Sequence, residues 1–437
     1  MKVTKFGGSS CAEASQFTKV KAIIEADPER KIVVVSAPGK RFDADHKVTD
    51  MLYLCHQFMG IGIGGDEVFD SICERFLSIQ NDLDLDIDLT EELESTRSIL
   101  QAGASVDYTA SRGEYFSAKL MAAYLGYQFI DAADIIRFDT KNQYDEIKTK
   151  ELIREKIAEG NYVVPGFYGS KENGEIVTFP RGGSDITGSI LASALGVDEY
   201  ENWTDVSGFL AADPRIVDNP KPLRIVTYEE LRELSYMGAN VLQEESILPA
   251  RKRNIPIHIL NTNSPSDPGT LILPRAKRQE EDFVVTGIAG LKDFMVIDVE
   301  KYHMTEDLSF FRKLFSVFEA NRIPIHHMPS SIDRVSIIVK EENMKGLEKK
   351  ILEEIDIYCS PDMIEITGGL SLLAVVGQNM ALRSGVAGRV FGTLANADVN
   401  IRMISQGSSE LNIIVGVANE DFEKSIRAIY NEFFEED

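Results

Sequence analysis

Residues 3–10 read VTKFGGSS, a pattern that changes from strand to turn to helix within a few positions. Val3–Phe6 predicts a short strand, and Gly7–Gly8 predicts a tight turn. Ser9–Ser10 has the residue types that cap a helix, which we expect to begin near Ala12. Glycines let a ligand approach the backbone closely, and the free N–H groups at a helix N-terminus suit a phosphate. The pattern therefore indicates either a phosphate-binding turn or a plain strand–turn–helix unit.

Lys5 stands directly before this turn and adds a mobile positive charge. In the functional interpretation, its ammonium group faces the same anion as Gly7, Gly8 and Ser9. In the structural interpretation, it is an ordinary exposed lysine. The P-loop pattern GxxxxGK[ST] is absent from the sequence, so the turn does not belong to that class of phosphate loop.

The first ~275 residues alternate between strand and helix patterns, at a length that fits one large domain. Runs rich in β-branched residues predict strands at Lys31–Val35, Asn161–Val164 and Ile255–Leu260. Helical spacing at Ile186–Leu195 ends at Gly196, a common helix stop. Such alternation is typical of an α/β fold, in which a mainly parallel sheet carries helices on both faces. We therefore expect a three-layer α/β/α sandwich.

A second region follows NTNSPSDPGTLILP, a stretch dense in turn residues, and the polar run Ala276–Asp282. It contains an internal repeat with an offset of 76 positions, since Phe315 and Phe391 are equivalent (391 − 315 = 76). The same offset joins apolar positions elsewhere, pairing Leu314 with Val390, Phe318 with Leu394, Ile323 with Val399, Ile325 with Ile401, Val335 with Leu411, Ile337 with Ile413, and Val339 with Val415. The repeat predicts two small α+β modules rather than a solenoid; chance similarity is the alternative.

The composition narrows the classes of function. The 437 residues suggest roughly three domains. Lys and Arg number 46 against 70 Asp and Glu, and the net charge of −24 argues against nucleic acid or an anionic membrane as the main partner. No apolar run reaches the length of about 18 residues that spans a bilayer, and MKVTKFGGSS lacks a signal-peptide core. Cys11, Cys55, Cys73 and Cys359 show no CxxC spacing, which predicts free thiols in a reducing cytoplasm and no metal site.

Three further segments have residue types that suit chemistry. Pro180–Thr187 (PRGGSDIT) opens a helix, and Arg181 can pair with a carboxylate or phosphate. Asp185 either orients Lys5 or a metal-bound nucleotide, or only complements the helix dipole. Glu201–Arg215 ends a strand and turns, so it either holds a nucleotide or is a solvated loop. Ser111–Glu114 (SRGE) predicts the start of another helix, where Glu114 either grips an amino group or caps the helix.

Taken together, these segments resemble the aspartokinases of the amino-acid kinase superfamily. The resemblance is carried, in the order of the family, by Lys5–Ser9 (KFGGS), Val34–Gly39 (VVSAPG), Val48–Asp50 (VTD), Ser111–Glu114, Arg181–Asp185 (RGGSD), Trp203–Val206 (WTDV) and Asp213–Arg215 (DPR). Val386–Phe391 (VAGRVF) and Ile401–Leu411 (IRMISQGSSEL) resemble the second of the family's paired ferredoxin-like ACT modules. The resemblance implies a kinase domain at 1–275, a linker at 276–290, and ACT modules at 291–362 and 363–437.

The resemblance also implies a reaction, in which ATP and L-aspartate give ADP and 4-phospho-L-aspartate. Lys5 would stabilise the transferring phosphoryl group and Asp185 would orient Lys5. The implied nucleotide contacts are Lys5, Gly7, Gly8, Ser9, Ser36, Thr204, Asp205 and Arg215, and the implied aspartate contacts are Thr49, Glu114, Arg181 and Ser184. Arg181 would face the α-carboxylate of aspartate and Glu114 its α-ammonium, while Mg²⁺ would be held mainly by the nucleotide phosphates. One departure concerns Gly238–Pro249 (GANVLQEESILP), where Asn240 replaces the family's usual Lys and Gln243–Glu244 replaces His-Pro.

The ACT pair implies regulation by an end-product amino acid, for which we expect lysine. The residues near the implied effector contacts are Met304, Asp307, Phe310, Phe311, Ile325, His326 and Ser331. Such pairs also imply a homodimer or a dimer of dimers, and dimerisation alone is the alternative role. Two other functions remain open: an N-acetylglutamate kinase, against which a charged Glu114 argues, and a non-catalytic amino-acid sensor, which only Asn240 favours.

Overall fold

A computed structural model describes residues 1–60, 64–180, 182–239, 242, 244–274 and 284–435. The described chain forms two compact units. The first unit comprises the described parts of Met1–Phe209, Pro222–Leu231 and Val241–Arg278, and the second those of Leu210–Lys221, Arg232–Asn240 and Gln279–Asp437. No helix in the described ranges has the length and apolar character needed to cross a membrane.

The first unit is built on an eight-stranded sheet. Its strands, together with a small hairpin of β5 and β6, are β1 (Lys2–Phe6), β2 (Arg30–Val35), β3 (Gln128–Phe129), β4 (Tyr162–Pro165), β5 (Tyr168–Ser170), β6 (Ile176–Thr178), β7 (Glu199–Thr204), β8 (Ile225–Thr227), β9 (Ile257–Asn261) and β10 (Thr270–Leu273). The strand order is β3-β4-β2-β1-β7-β9-β10-β8. Every neighbouring pair is parallel except β9–β10, so the predicted mainly parallel sheet is confirmed.

Helices cover both faces of this sheet. The helices that lie wholly within the first unit are α1 (Ala14–Glu25), α2 (Val48–Gly60), α3 (Gly65–Asp82), α4 (Thr90–Gln101), α5 (Val106–Leu125), α6 (Ala132–Ile135), α7 (Glu146–Lys156), α8 (Gly183–Leu195) and α10 (Leu248–Lys252), whereas α9 (Tyr228–Tyr236) has residues in both units. On one face, Phe6, Val35 and Trp203 join a core with apolar residues of α1–α5. On the other face, α8 packs against β1, β2 and β7. β2 and β4 consist mainly of buried apolar residues, as expected of strands covered on both faces, whereas β1 and β7 also bury the polar residues Thr4, Lys5, Glu201 and Asn202.

Two local predictions were wrong. Ser9 and Ser10 do not cap a helix: the stretch after the first glycines forms a 3₁₀ turn at Gly8–Cys11, and α1 begins at Ala14. The hydroxyl of Ser10 instead hydrogen-bonds with Thr262 Oγ1 at 2.7 Å. Ser111–Glu114 lies inside α5, which begins at Val106. Ser105 is its cap and accepts a hydrogen bond from the backbone N–H of Tyr108.

The second unit contains one five-stranded antiparallel sheet in the order β12-β11-β13-β15-β14. Its strands are β11 (Gly287–Glu300), β12 (Arg334–Lys340), β13 (Met363–Val376), β14 (Met403–Ser405) and β15 (Asn412–Ala418). Its helices are α11 (Leu308–Ala320), α12 (Glu341–Met344), α13 (Glu348–Cys359), α14 (Val386–Asn396) and α15 (Phe422–Tyr430). α11 and α13 bury one face of β11 and β12, including Ile297, Val299 and Ile337.

The long strands β11 and β13 follow the offset found in the sequence. Gly287 and Met363 begin them, and Glu300 and Val376 end them, so both bounds differ by 76 positions (363 − 287 and 376 − 300). β11 and β13 pair with each other along most of their length. The two copies of the repeat therefore share a continuous sheet, in which each copy supplies one long central strand.

Candidate active site

A cavity of about 1230 Å³ opens in the first unit and brings most of the proposed site residues together. Eleven of the thirteen residues expected to serve catalysis, nucleotide or aspartate line it: Lys5, Gly7, Gly8, Ser9, Ser36, Thr49, Glu114, Ser184, Asp185, Thr204 and Asp205. Arg181, Asn240 and Gln243 lie outside the described residues. Arg215 belongs to the second unit, where its guanidinium donates to both carboxylate oxygens of the neighbouring Asp213.

The cavity lies where three adjacent parallel strands end. Phe6 of β1 pairs in register with Val35 of β2 and with Trp203 of β7. Gly7, Ser36 and Thr204 therefore emerge side by side at the carboxyl edge of the sheet, which is the usual ligand-binding edge of an open α/β sheet. The backbone N–H of Gly7 donates to Trp203 O at 3.0 Å, and that of Ser36 donates to Phe6 O at 3.1 Å.

The first glycine turn is packed backbone to backbone against the loop that follows β2. The N–H of Gly39 donates to Gly8 O at 2.7 Å. A Cβ atom added to Gly39 would lie 2.7 Å from the carbonyl carbon of Gly8 and 2.9 Å from the backbone nitrogen of Ser9. Real side chains do not tolerate such distances to a backbone, so only glycine allows these two loops to meet at the rim of the cavity.

Lys5 and Asp185 form an ion pair inside the cavity. The Nζ–Oδ1 distance is 2.6 Å, and the Lys5 side chain is 9% exposed. Asp185 lies in the first turn of α8, whose N-cap Gly182 has a φ of 77°, a conformation that glycine adopts without strain. The ammonium group also lies close to the first glycine turn: a Cβ atom added to Gly7 would be 3.6 Å from Lys5 Nζ. Two glycine turns that are distant in the sequence thus face one cation.

Glu114 lies in the middle of α5, on the face of the sheet opposite to α8, and it lines the same cavity. Gly113 permits this close approach, because a Cβ there would lie 2.7 Å from Cβ of Ala37. Glu114 is buried, and its Oε2 has no hydrogen-bond partner among the described residues. Burial raises the pKa of Glu114 to about 8, although the backbone of Ala37 and the charge of Arg112 act in the other direction. A buried carboxyl with a free oxygen suits a ligand that carries positive charge.

The structure adds two features that the sequence did not reveal. Asn202 lies beside Lys5 and Asp185, and its side chain hydrogen-bonds with both. Arg75 of α3 donates to Gly39 O at 3.2 Å and to both oxygens of Asp45, at 3.0 and 2.8 Å. Hydrogen bonds from the side chain and backbone of Arg41 hold the pKa of Asp45 well below its usual range, and the charge of Arg75 acts in the same direction. Arg75 thereby anchors the loop at residues 39–47, whose Lys40 and Lys47 also line the cavity.

The expected effector residues all lie in the second unit. Met304 and Phe310 are buried in its core, and Phe311 packs against that core with Ile325. Asp307 caps α11 by accepting a hydrogen bond from the N–H of Ser309 at 3.0 Å. His326 has a buried Nδ1 without a partner in the described chain, and burial lowers its pKa. Ser331 donates its N–H to Arg334 O. Their role in binding an effector stays a prediction.

Acidic side chains in the cavity are dispersed rather than grouped. Across the ranges that the structure describes, no set of three or more His, Cys, Asp or Glu side chains is arranged to hold a metal ion. Asp185 forms an ion pair with Lys5, and Asp205 accepts a hydrogen bond from Thr204 Oγ1 at 3.1 Å.

Comparison with known proteins identifies families and relatives that this chain resembles. The amino acid kinase family model matches residues 1–261, and an ACT domain model matches residues 373–433. Aspartokinase 3 of Bacillus subtilis is 38% identical over 99% of both chains. The solved Clostridium acetobutylicum aspartate kinase, an allosteric enzyme, is 50% identical with a TM-score of 0.92 over 99% of both chains.

A more distant solved relative is E. coli aspartokinase III, which is 26% identical with a TM-score of 0.76. One structure of it, with aspartate and ADP, covers 99% of this chain and 100% of that one. Another, with lysine and aspartate, covers 99% of both. The chain therefore belongs to the amino acid kinase family and, within it, to the aspartokinases.

Proposed function

We propose that the chain transfers the γ-phosphoryl group of ATP to the β-carboxylate of L-aspartate, giving ADP and 4-phospho-L-aspartate. The observation that carries this proposal is the meeting of Lys5 and Asp185, 2.6 Å apart, between two glycine turns in one cavity. We also propose that this phosphorylation of aspartate is the first step in the biosynthesis of lysine, threonine and methionine.

The chemistry of the reaction fits the residues of the cavity. A β-carboxylate is already ionised at neutral pH, so the nucleophile needs no general base. The reaction requires in-line positioning and stabilisation of the negative charge on the moving phosphoryl group. We propose that the Lys5 ammonium and the backbone N–H groups of Gly8 and Ser9 supply positive charge at that point, since the N–H of Gly7 is bound to Trp203 O. We propose that ATP enters as its Mg²⁺ complex, in which the ion offsets phosphate charge.

The substrate contacts follow from the same cavity. Glu114, with its free carboxylate oxygen, suits the α-ammonium of aspartate, whereas an acetylated amine offers no charge for it to pair. We propose that Thr49 and Ser184 hold the rest of aspartate with Arg181, which would face the α-carboxylate. Contacts to the nucleotide are assigned to Ser36, Thr204 and Asp205 of the cavity and, on the resemblance to the aspartokinases alone, to Arg215.

The test is to trap the acyl phosphate with hydroxylamine, using aspartate or N-acetylglutamate as the acceptor. We expect a hydroxamate from aspartate only. Lys5→Ala should lower turnover by about 10²- to 10³-fold, the usual cost of losing one donor to a developing negative charge, while aspartate still binds in calorimetry. The matched control is Lys171→Ala, which removes a partly buried lysine that pairs with Glu175 at 2.8 Å and does not line the cavity. A product from N-acetylglutamate alone, or undiminished turnover in Lys5→Ala, contradicts the proposal.

We further propose feedback inhibition by lysine, bound at the ACT modules of a homodimer or a dimer of dimers. Support comes from the ACT match and from the lysine found in the E. coli relative. The physical model is a shift between two states of the kinase that bind lysine with different affinity. Titration of lysine and threonine into the assay tests it, and Ser331→Ala should shift the lysine curve. Flat curves with both amino acids would remove this part of the proposal.

Two finer assignments complete the proposal. The domain bounds are proposed as 1–275 for the kinase, 276–290 for the linker, and 291–362 and 363–437 for the ACT modules. A reducing compartment, the cytoplasm, is proposed because all four cysteines are free and buried. Limited proteolysis with mass spectrometry would test the bounds, since the first cuts should fall within 276–290.

A further inference from the structure

We propose that Asn202 is a positioning residue for the phosphoryl transfer, because its side-chain amide fixes both members of the Lys5–Asp185 pair. This inference rests on the proposed role of Lys5. It concerns a residue to which the sequence analysis assigned no role, and it specifies how one N–H of the ammonium group is kept available for the phosphoryl group.

The position of Asn202 follows from strand register. In the parallel pair β1–β7, Lys5 is directly opposite Asn202, so both side chains project from the same face of the sheet. α8 packs on that face of the sheet, and Asp185 lies in the first turn of α8. The flanking residues Glu201 and Trp203 project to the other face, where Trp203 Nε1 donates to Glu201 Oε2 at 2.8 Å. Of the three consecutive residues Glu201, Asn202 and Trp203, the register therefore places only Asn202 on the face of the sheet that carries Lys5 and Asp185.

The hydrogen bonds around Asn202 form a closed triangle. Its Nδ2 donates to Asp185 Oδ1 at 2.9 Å, and its Oδ1 accepts from Lys5 Nζ at 3.4 Å. Lys5 Nζ also donates to Asp185 Oδ1, at 2.6 Å. Asn202 is 3% exposed, so water does not compete for its amide groups. Each of the three side chains is thus held by the other two.

The triangle has a consequence for the ammonium group. A lysine ammonium has three N–H bonds. In the described chain, Asp185 and Asn202 accept two of them, and the third remains for a phosphoryl oxygen near Gly7. Without Asn202, the carboxylate and the ammonium would keep their attraction but would lose the fixed direction of the remaining N–H. Misplacement of a catalytic group by about 1 Å can cost on the order of 10²-fold in rate.

Only an amide, or its isostere, satisfies both partners. It offers one donor to Asp185 and one acceptor to Lys5. A protonated carboxyl has the same arrangement, whereas an ionised carboxylate lacks the donor and repels Asp185. Asn202→Asp therefore tests the hydrogen-bond pattern directly. Its kcat, divided by that of the wild type, should rise as the pH falls and the introduced carboxyl gains its proton.

The experiment measures kcat and KM at saturating MgATP for Asn202→Leu, and kcat from about pH 6 to pH 9 for Asn202→Asp. We expect Asn202→Leu to lose roughly 10- to 100-fold in kcat with little change in the KM of aspartate, because the amide is assigned to positioning and not to substrate contact. The matched control is Thr4→Val. Thr4 is buried like Asn202, but it lies on β1 next to Lys5 and its side chain projects to the opposite face of the sheet. There its hydroxyl donates to Ile32 O. It should keep wild-type kcat.

Two outcomes would overturn the inference. One is an Asn202→Leu enzyme whose kcat matches that of Thr4→Val. The other is a kcat ratio of Asn202→Asp to wild type that does not change with pH, since a merely structural defect has no reason to follow the ionisation of the new carboxyl. Circular dichroism establishes that each variant is folded, and if Asn202→Leu is not, the Asn202→Asp profile decides alone. Lys5→Met separates the two proposals: full turnover in that variant refutes the role of Lys5 itself.

Discussion

Glu114 gives the sharpest pH prediction. Its carboxyl is 5% exposed, and burial raises its pKa to about 8, well above the ordinary value of 4.5. The α-ammonium of aspartate attracts only the ionised form. We therefore expect aspartate to bind with release of a proton whenever the pH is below about 8, because the empty cavity holds Glu114 mainly in its neutral form.

The size of the effect follows from that pKa. At pH 7 about one molecule in ten has an ionised Glu114, so the apparent Kd of aspartate should be roughly tenfold weaker than its limit at high pH. Between about pH 8.5 and pH 6.5, the apparent Kd should rise by about 25-fold on the same reasoning. Isothermal titration calorimetry in buffers of different ionisation enthalpy measures both the Kd and the number of protons released per aspartate bound, which should be about 0.9 at pH 7.

Glu114→Gln provides the decisive comparison. It should bind aspartate weakly and without this pH dependence, while the surface variant Glu172→Gln should behave like the wild type. The variant should also be more stable above pH 8. Because the folded pKa is raised, ionisation of Glu114 destabilises the native state, and this cost is absent below the unfolded pKa of 4.5 and complete above about 8. A Kd that ignores pH in the wild type, or proton release that persists in Glu114→Gln, would refute the reasoning.

The loop after β2 yields two further predictions. Gly39→Ala forces a methyl group to within 2.7 Å of the carbonyl carbon of Gly8; the shift needed should cost about 1–3 kcal/mol in urea unfolding and raise the KM of ATP. Arg75→Met leaves the 8%-exposed Asp45 without one of its cations, so unfolding should be easier by about 3 kcal/mol, whereas Lys148→Met at the surface should cost under ~1 kcal/mol. Equal unfolding free energies for these two variants would contradict the anchoring role.

Several features were predictable because they depend on neighbours in the sequence. The alternation of apolar runs and helical spacing predicted the strands near Lys31–Val35 and Asn161–Val164, which the structure places at Arg30–Val35 and Tyr162–Pro165. The offset of 76 reappears in the bounds of β11 and β13. Hydrophobic periodicity reports which face of an element is buried, and this information is local.

The residues at which helices begin were harder to predict from the sequence. Ser111 and Ser105 are equally good caps by residue type, and only the observed bond from Tyr108 N–H to Ser105 Oγ distinguishes them. Ser10 has the correct chemistry for a cap but hydrogen-bonds instead with Thr262, which is remote in the sequence. A side chain that can cap a helix or bond a distant partner takes whichever the tertiary structure brings within reach.

The amino-acid order alone established the α/β character, the glycine turns and the repeated second region, since each depends on residues a few positions apart. Three-dimensional packing alone decided that β1 lies between β2 and β7, which sets Lys5 opposite Asn202 although 197 positions separate them. It likewise decided that the interior of α5 supplies Glu114 to the same cavity. Strand order and register are fixed by the packing of the whole sheet and its helices, and no local pattern contains that information.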